Sequence, residues 1–377
     1  MTHTAAPRRC PDVTHTAAPH QDVATAQRAA TATVEDVSRH RPASPATAPT
    51  ASDIPDADVT GTSTSDADSA PPTRVARLVE PLARPLRRWA GPVVIANLVG
   101  QVLIILTGGL VRLTASGLGC TTWPLCTPGS FTPELHDEVS FHPFVEFGNR
   151  AFSFLLGIVG LLVLLAVVTD RRRSVAYRRL GWIPLLGVMV QGVIGGILVL
   201  VELPPALVGF HLLISMALVV ASAYLVQRQA EGDGPPATLV TRGTARIGAL
   251  FGALLVPVLV LGVITTGAGP HSGDDKVGYR FDIDPTVIAK VHAWSVWLFI
   301  AVLALLTWRL LREPGIAPRV AGPLSLLWLT VFAQGVAGYV QYFTDLPWGI
   351  VAIHMLLAAT LAALVTLLLT RLRTRGA

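Results

Sequence analysis

Long apolar runs recur after residue 90, and they constrain this chain more than any other feature. A bilayer-spanning helix needs ~20 mostly apolar residues, because each residue advances ~1.5 Å and hydrocarbon leaves no backbone amide a partner outside the helix. Eight runs reach that length, at about 91–111, 142–169, 180–201, 205–227, 245–267, 286–309, 320–341 and 348–370. Of the 377 residues only 14% are charged, against roughly a quarter in a soluble domain. The expected fold class is an all-α membrane protein with eight transmembrane helices.

The net charge of +5 would suit a polyanion, but its placement argues for a membrane topology instead. Arg84, Arg87 and Arg88 precede the first run. Arg171, Arg172, Arg173, Arg178 and Arg179 follow the second. Arg228, Arg242 and Arg246 lie around the junction of the fourth and fifth, Arg309, Arg312 and Arg319 between the sixth and seventh, and Arg371, Arg373 and Arg375 after the eighth. The alternate loops hold only Arg112, Lys276 and Arg280. Cytoplasmic loops carry the excess of Lys and Arg. Both termini are therefore expected in the cytoplasm of a cell-membrane protein, with loops 112–141, 202–204, 268–285 and 342–347 facing outward. No nucleic-acid partner is expected.

Residues 1–85 are rich in Thr, Ala, Pro, Asp and Ser, and repeat Thr2-His-Thr-Ala-Ala-Pro7 as Thr14-His-Thr-Ala-Ala-Pro19. Such a composition buries too little apolar surface to fold, so a disordered cytoplasmic tail is expected. The first apolar run begins too late for a signal peptide. His3, His15, His20, His40 and Cys10 fall in this tail. The other two cysteines, in Cys120-Thr-Thr-Trp-Pro-Leu-Cys126, share the first outward loop. That compartment permits a disulfide, a redox-active one included; two free thiols are the alternative.

The membrane region repeats itself. Gln191-Gly-Val-Ile-Gly195, Leu203-Pro204 and His211 reappear as Gln334-Gly-Val-Ala-Gly338, Leu346-Pro347 and His354, each 143 residues later. The same offset carries Asn149 onto His292. Thr107-Gly108 matches Thr266-Gly267 at an offset of 159, the first outward loop being longer. Both units have four runs, so corresponding helices cross in the same direction, as in parallel repeats. Two pseudo-symmetric four-helix bundles are expected, over 91–230 and 243–371.

Ionisable groups inside a span are costly and mark functional candidates. His211, His292, His354 and the odd Asn149 all fall about two turns in from the outward end of even-numbered runs. Two facing helices that each bring an imidazole can hold one haem iron from both sides. His292 and His354 make a complete pair; Asn149 and His211 make an incomplete one. Core packing is the structural alternative. Zinc fits less well, since it takes about four close ligands. On the second run His142, Glu146 and Asn149 share one helical face, and Arg150 is four residues beyond Glu146. Glu146 therefore reads either as an acid or base beside a haem or as half of a helix ion pair. The second unit has Ala289 at the matching place. Arg112 reads as a propionate contact or as an interfacial anchor. His136 and His271 sit in outward loops and are not expected in the site.

Together these segments resemble the haem A synthase family. The resemblance rests on Thr107-Gly-Gly-Leu-Val-Arg112-Leu-Thr-Ala-Ser-Gly117-Leu, the Cys120…Trp123-Pro124-Leu-Cys126 loop, Glu146-Phe-Gly-Asn149-Arg150, Gln191-Gly…His211, His292 and Gln334-Gly…His354. It covers residues from about 91 to 370. It implies an oxidoreductase that converts the C8 methyl of haem O to the formyl of haem A by successive hydroxylations. It further implies a haem b cofactor on His292 and His354, substrate haem O at His211 and the Asn149 position, catalysis by Glu146 and a cysteine pair at Cys120 and Cys126. Haem O synthase, cytochrome oxidase assembly factors and further copies of the chain are the partners it suggests. The family pattern is usually Glu-x-x-His-Arg in the second span; here the histidine is Asn149. His211 alone, or His142 as a substitute, are the two readings of that departure.

Two other functions compete. A b-type cytochrome that only passes electrons needs no Glu146. A transporter would place charges near the bilayer midplane, and these runs have none there.

Overall fold

The computed structural model describes residues 81, 85, 87–133, 141–271, 273–274 and 278–376. Its elements in order are α1 (Ala90–Leu113), α2 (His142–Val168), α3 (Val175–Leu180), α4 (Trp182–Leu200), α5 (Pro205–Ala230), β1 (Pro236–Thr238), α6 (Arg242–Ala268), α7 (Pro285–Arg312), α8 (Ala317–Phe343), α9 (Trp348–Thr370) and β2 (Arg373–Arg375). With the short α3 leading into α4, eight helices are long and apolar enough to cross a membrane. The protein is an all-α, multi-pass membrane protein. The expected unfolded tail over 1–80, and the residues His136 and Lys276, lie outside the described residues, whereas Pro81 and Pro85 already have helical backbone.

The helix limits follow local chemistry. Proline opens α2, α5 and α7 in the first turn, where a missing N–H costs no hydrogen bond. Asp284 caps α7 by accepting from Thr286 N at 2.7 Å and Val287 N at 3.0 Å. The third span starts at Val175 rather than near 180, because the Ser174 hydroxyl caps the Tyr177 amide at 3.2 Å and so starts a helix inside the arginine-rich loop.

One turn occurs twice. Leu203 N donates to Leu198 O, and Leu346 N donates to Gln341 O, both at 3.0 Å. Glu202 and Leu203 (φ 58° each) are left-handed, as are Asp345 (φ 55°) and Leu346 (φ 56°). A left-handed non-glycine residue costs ~1–2 kcal/mol, so two residues in succession mark a turn held by its surroundings. The repeated Leu-Pro is thus a helix-reversing corner that delivers His211 and His354 seven residues into α5 and α9.

Helix α1 packs on α2 and α5, α2 on α4, and α4 on α5, so these four close a ring. In the second unit α6 lies along α7 and α8 along α9, while α7 and α8 touch sparsely. Helix α9 is the most buried span and also packs on α1 and α5. Apolar tails offer helices no hydrophobic drive to associate, so small residues and polar contacts decide the packing. Buried Ala352, Ala359, Ala362 and Ala363 suit α9 to that central place. A Cβ at Gly109 of α1 would lie 3.0 Å from Met355 of α9, and one at Gly160 of α2 would lie 3.1 Å from the Leu185 backbone of α4. Asn97 Nδ2 donates to Ser222 Oγ at 2.9 Å between α1 and α5, a buried bond of about 0.6–2 kcal/mol. Ile105, Met216, Phe251, Leu303, Leu327 and Leu368 belong to one apolar core that runs through both units.

At the arginine-rich end, Asp233 collects Arg173 at 2.8 Å, Arg228 at 2.9 Å, and both the amide and hydroxyl of Ser174. Burial pushes its carboxyl up, but the hydrogen bonds from Arg173 and Ser174 outweigh that and hold it well below the usual carboxylate range. Strands β1 and β2 pair antiparallel, tying the segment after α9 to the link between the two units.

Candidate functional site

The three span histidines project from even-numbered spans near the disulfide-bearing end. His292 is the eighth residue of α7, as Asn149 is of α2. Each imidazole lies against a glycine of a neighbouring helix. A Cβ would meet the ring Cε1 at 3.8 Å from Gly195 for His211, 3.4 Å from Gly338 for His354 and 3.2 Å from Gly262 for His292. Each of the three Nδ1 atoms is buried. Those of His292 and His354 face the backbone of Val258 and Gln334, and the two rings lie within electrostatic reach of one another. His211 Nδ1 has no hydrogen-bond partner, which is costly in a closed core, so packing alone accounts poorly for that residue. Such rings suit axial ligation of a haem, which uses one imidazole nitrogen and leaves the other for the surrounding backbone. Among the described residues no three His, Cys, Asp or Glu side chains gather as a metal cluster.

The shared face of α2 meets the end of α1 and the loop beyond it. His142 Nδ1 is 2.9 Å from the Ser116 hydroxyl. Asn149 Oδ1 accepts from the Thr107 hydroxyl at 2.7 Å. Glu146, 4% exposed, accepts from Cys120 N at 2.7 Å through Oε2. Its Oε1 accepts from Arg150 Nε at 3.1 Å and Nη2 at 2.6 Å. Arg150 Nη1 then donates to the carbonyls of Thr122 at 3.0 Å and Leu125 at 3.1 Å. The Glu146–Arg150 ion pair, one of the two readings of Glu146, is present, and Arg150 also clamps the cysteine loop. Cys120 and Cys126 are bonded to each other, and both are buried; they are not free thiols. Trp123 of the same loop covers Gly196 of α4.

Arg112 joins the two units. Its Nε donates to His271 O and its Nη2 to Thr266 O, both at 2.9 Å. It thus caps the carbonyl end of α6, a favourable place for a cation. His271 in turn places Nε2 3.1 Å from Leu346 O, and Gly117 N donates to Gly273 O at 2.7 Å. Arg112 therefore anchors protein backbone in this structure.

Sequence reasoning found the histidines and the α2 face but missed their partners. Thr107 and Ser116 were visible within the Thr107–Leu118 motif, yet no spacing rule joins them to residues 42 and 26 positions away. Gly262 stands outside every quoted motif.

Against this geometry, the similarity to known proteins is extensive. A sequence model of the COX15-CtaA family, described as cytochrome oxidase assembly protein, matches residues 92–368, a stretch that takes in nearly all of the eight spans. The Heme A synthase of Lysinibacillus sphaericus is 26% identical over 293 residues, 72% of this chain and 91% of that protein. Those of Symbiobacterium thermophilum and Halalkalibacterium halodurans are 33% and 30% identical over 118 and 151 residues, 31% and 38% of this chain. The chain spans 37% and 48% of the lengths of these last two relatives. Eight membrane helices and a family match that runs through all of them lead to one assignment: the chain belongs to the COX15-CtaA family of cytochrome oxidase assembly proteins.

Proposed function

We propose that this protein is a haem A synthase, an oxidoreductase that takes the C8 methyl of haem O to the formyl of haem A. The observation that carries this reading is the link between Glu146 and Cys120. A buried carboxylate bonded to a disulfide loop, over the unit that holds His211, has no use in a simple electron carrier. The relatives named Heme A synthase support the same reading.

In this proposal the protein lies in the cell membrane with both termini cytoplasmic and the disulfide end outward, in keeping with its arginine-poor loops. Residues 91–230 form the substrate unit and 243–371 the cofactor unit. His292 and His354 hold haem b, which supplies one-electron chemistry when bound. Their mutual reach, and imidazoles that each face a backbone partner while lying against a glycine of a neighbouring helix, fit that group. His211 binds the iron of substrate haem O beside Asn149. Arg112 holds the two units in register through the His271 and Thr266 carbonyls and is the residue that would contact a haem propionate.

Glu146 is the proposed acid–base residue. Oε1 is held by the bidentate Arg150 pair and Oε2 by the Cys120 N–H, which leaves Oε2 a further lone pair for a proton. Because Cys120 contacts that same oxygen, the cysteine loop is the neighbour that protonation of Glu146 perturbs first. Haem O synthase, cytochrome oxidase assembly factors and further copies of the chain are the proposed partners.

The test is haem extraction from cells that express the protein together with a haem O synthase. Accumulation of haem A is expected. Haem B and haem O alone would overturn the proposal and leave a b-type cytochrome.

A further inference from the structure

Asn149 stands where the sequence offset of 143 places His292 in the other unit, so the first unit lacks one of its two imidazoles. What this asparagine offers instead is legible from its bonds. A carboxamide has one oxygen able to accept or to coordinate, and an NH2 group able only to donate. The Thr107 hydroxyl lies 2.7 Å from Oδ1, a separation typical of O–H···O contacts and short for N–H···O. The same hydroxyl lies 3.2 Å from Ile104 O, a longer contact, so its one proton goes chiefly to Oδ1. One of the two lone pairs of Oδ1 is therefore engaged, and the two N–H donors are turned away from Thr107. A Cβ at Gly108 would still be 3.9 Å from Oδ1, so the amide is not forced into its position by crowding. His142, the other candidate substitute, sits seven residues earlier on α2. It has its Nδ1 at 2.9 Å from the Ser116 hydroxyl and its ring 4.2 Å from that of Phe141.

We propose that Asn149 is a hydrogen-bond donor beside an open iron coordination position, so that the first unit holds its haem five-coordinate through His211. This deepens the proposed function and rests on it. The two units then differ in kind: one presents a saturated iron, the other an iron that accepts a small ligand next to two amide N–H groups.

The experiment uses the purified full-length protein loaded with haem, with carbon monoxide as probe of the ferrous form and fluoride as probe of the ferric form. Carbon monoxide is a weak hydrogen-bond acceptor and fluoride a strong one. Both are expected to bind one class of haem. His211→Ala should remove that class and leave the low-spin signal of the other unit. Asn149→His should abolish both ligands by filling the position. Asn149→Leu should weaken fluoride by roughly three- to tenfold, the worth of about one hydrogen bond, and leave carbon monoxide affinity unchanged. Thr107→Val should move fluoride in the same direction, and Asn149→Ala serves if the leucine variant does not fold. An unliganded haem that is already six-coordinate at this unit would overturn the open position, and equal effects of Asn149→Leu on both probes would overturn the donor role; neither touches the proposed function. Carbon monoxide binding that survives His211→Ala would overturn the underlying assignment of the substrate site.

Discussion

The two four-helix units share a pattern and differ in what it holds. In the first, α1, α2, α4 and α5 close a ring, and the polar residues near its disulfide end are paired: Asn149 with Thr107, His142 with Ser116, Glu146 with Cys120 and Arg150. In the second, α7 and α8 touch sparsely, Ala289 replaces the carboxylate, and two span histidines, His292 and His354, stand where the first has Asn149 and His211. The repeated glycine–histidine contacts, Gly195 with His211 and Gly338 with His354, show that histidine placement persists in both. The additions gather in one unit only. In the proposed reading the repeat keeps the histidines, while Glu146 and the disulfide loop distinguish one copy for chemistry.

The largest test of that contrast is His354→Ala or His292→Ala. Either should eliminate the low-spin haem b spectrum and haem A formation, while His211→Ala keeps that spectrum; equal spectra for all three would dissolve the distinction. Next, Glu146→Gln should retain bound haem but lower haem A yield by about 10²–10⁴-fold, the usual worth of a general acid or base. A normal yield would reduce Glu146 to a clamp on the loop. Replacing Cys120 and Cys126 with serine should then destabilise the first unit, by about 2 kcal/mol for so short a loop. Hydrogen exchange should rise around Gly119–Leu125 and not around α7 and α8; uniform change would contradict a local lid. The smallest effect belongs to the opposite end. Asp233 has a lowered carboxyl pKa, so its stabilisation is present above the ordinary carboxylate range and is lost as pH falls through the lower folded value. Asp233→Asn should therefore cost about 1–3 kcal/mol at neutral pH and nothing at strongly acid pH. Thermal unfolding at the two pH values checks this, and a pH-independent loss would refute it.

Much of the fold is legible in the chain because bilayer thickness sets helix length and charge marks the loops. The α3 helix is the exception: a single serine cap extended the third span into a loop that hydropathy places outside it. The site is legible as an inventory. Glu146 is singled out by its absence from the second unit, and Asn149 by the broken repeat. Arg112 reads in the sequence as a propionate contact or an interfacial anchor, and the fold adds that its guanidinium holds the His271 and Thr266 carbonyls. Nothing in a one-dimensional pattern says which carbonyl a five-donor side chain will find.

By itself, then, the sequence determined eight spans, the internal repeat and the residue types available for chemistry. These depend on composition and spacing along one helix, which solvent and hydrocarbon enforce locally. The tertiary structure alone decided that α9 packs on α1 and α5, that Glu146 reaches Cys120 across 26 residues, and that Thr107 bonds the Asn149 oxygen across 42. Those contacts depend on how each helix is turned about its axis and how close glycine lets its neighbour come. No single segment carries that information.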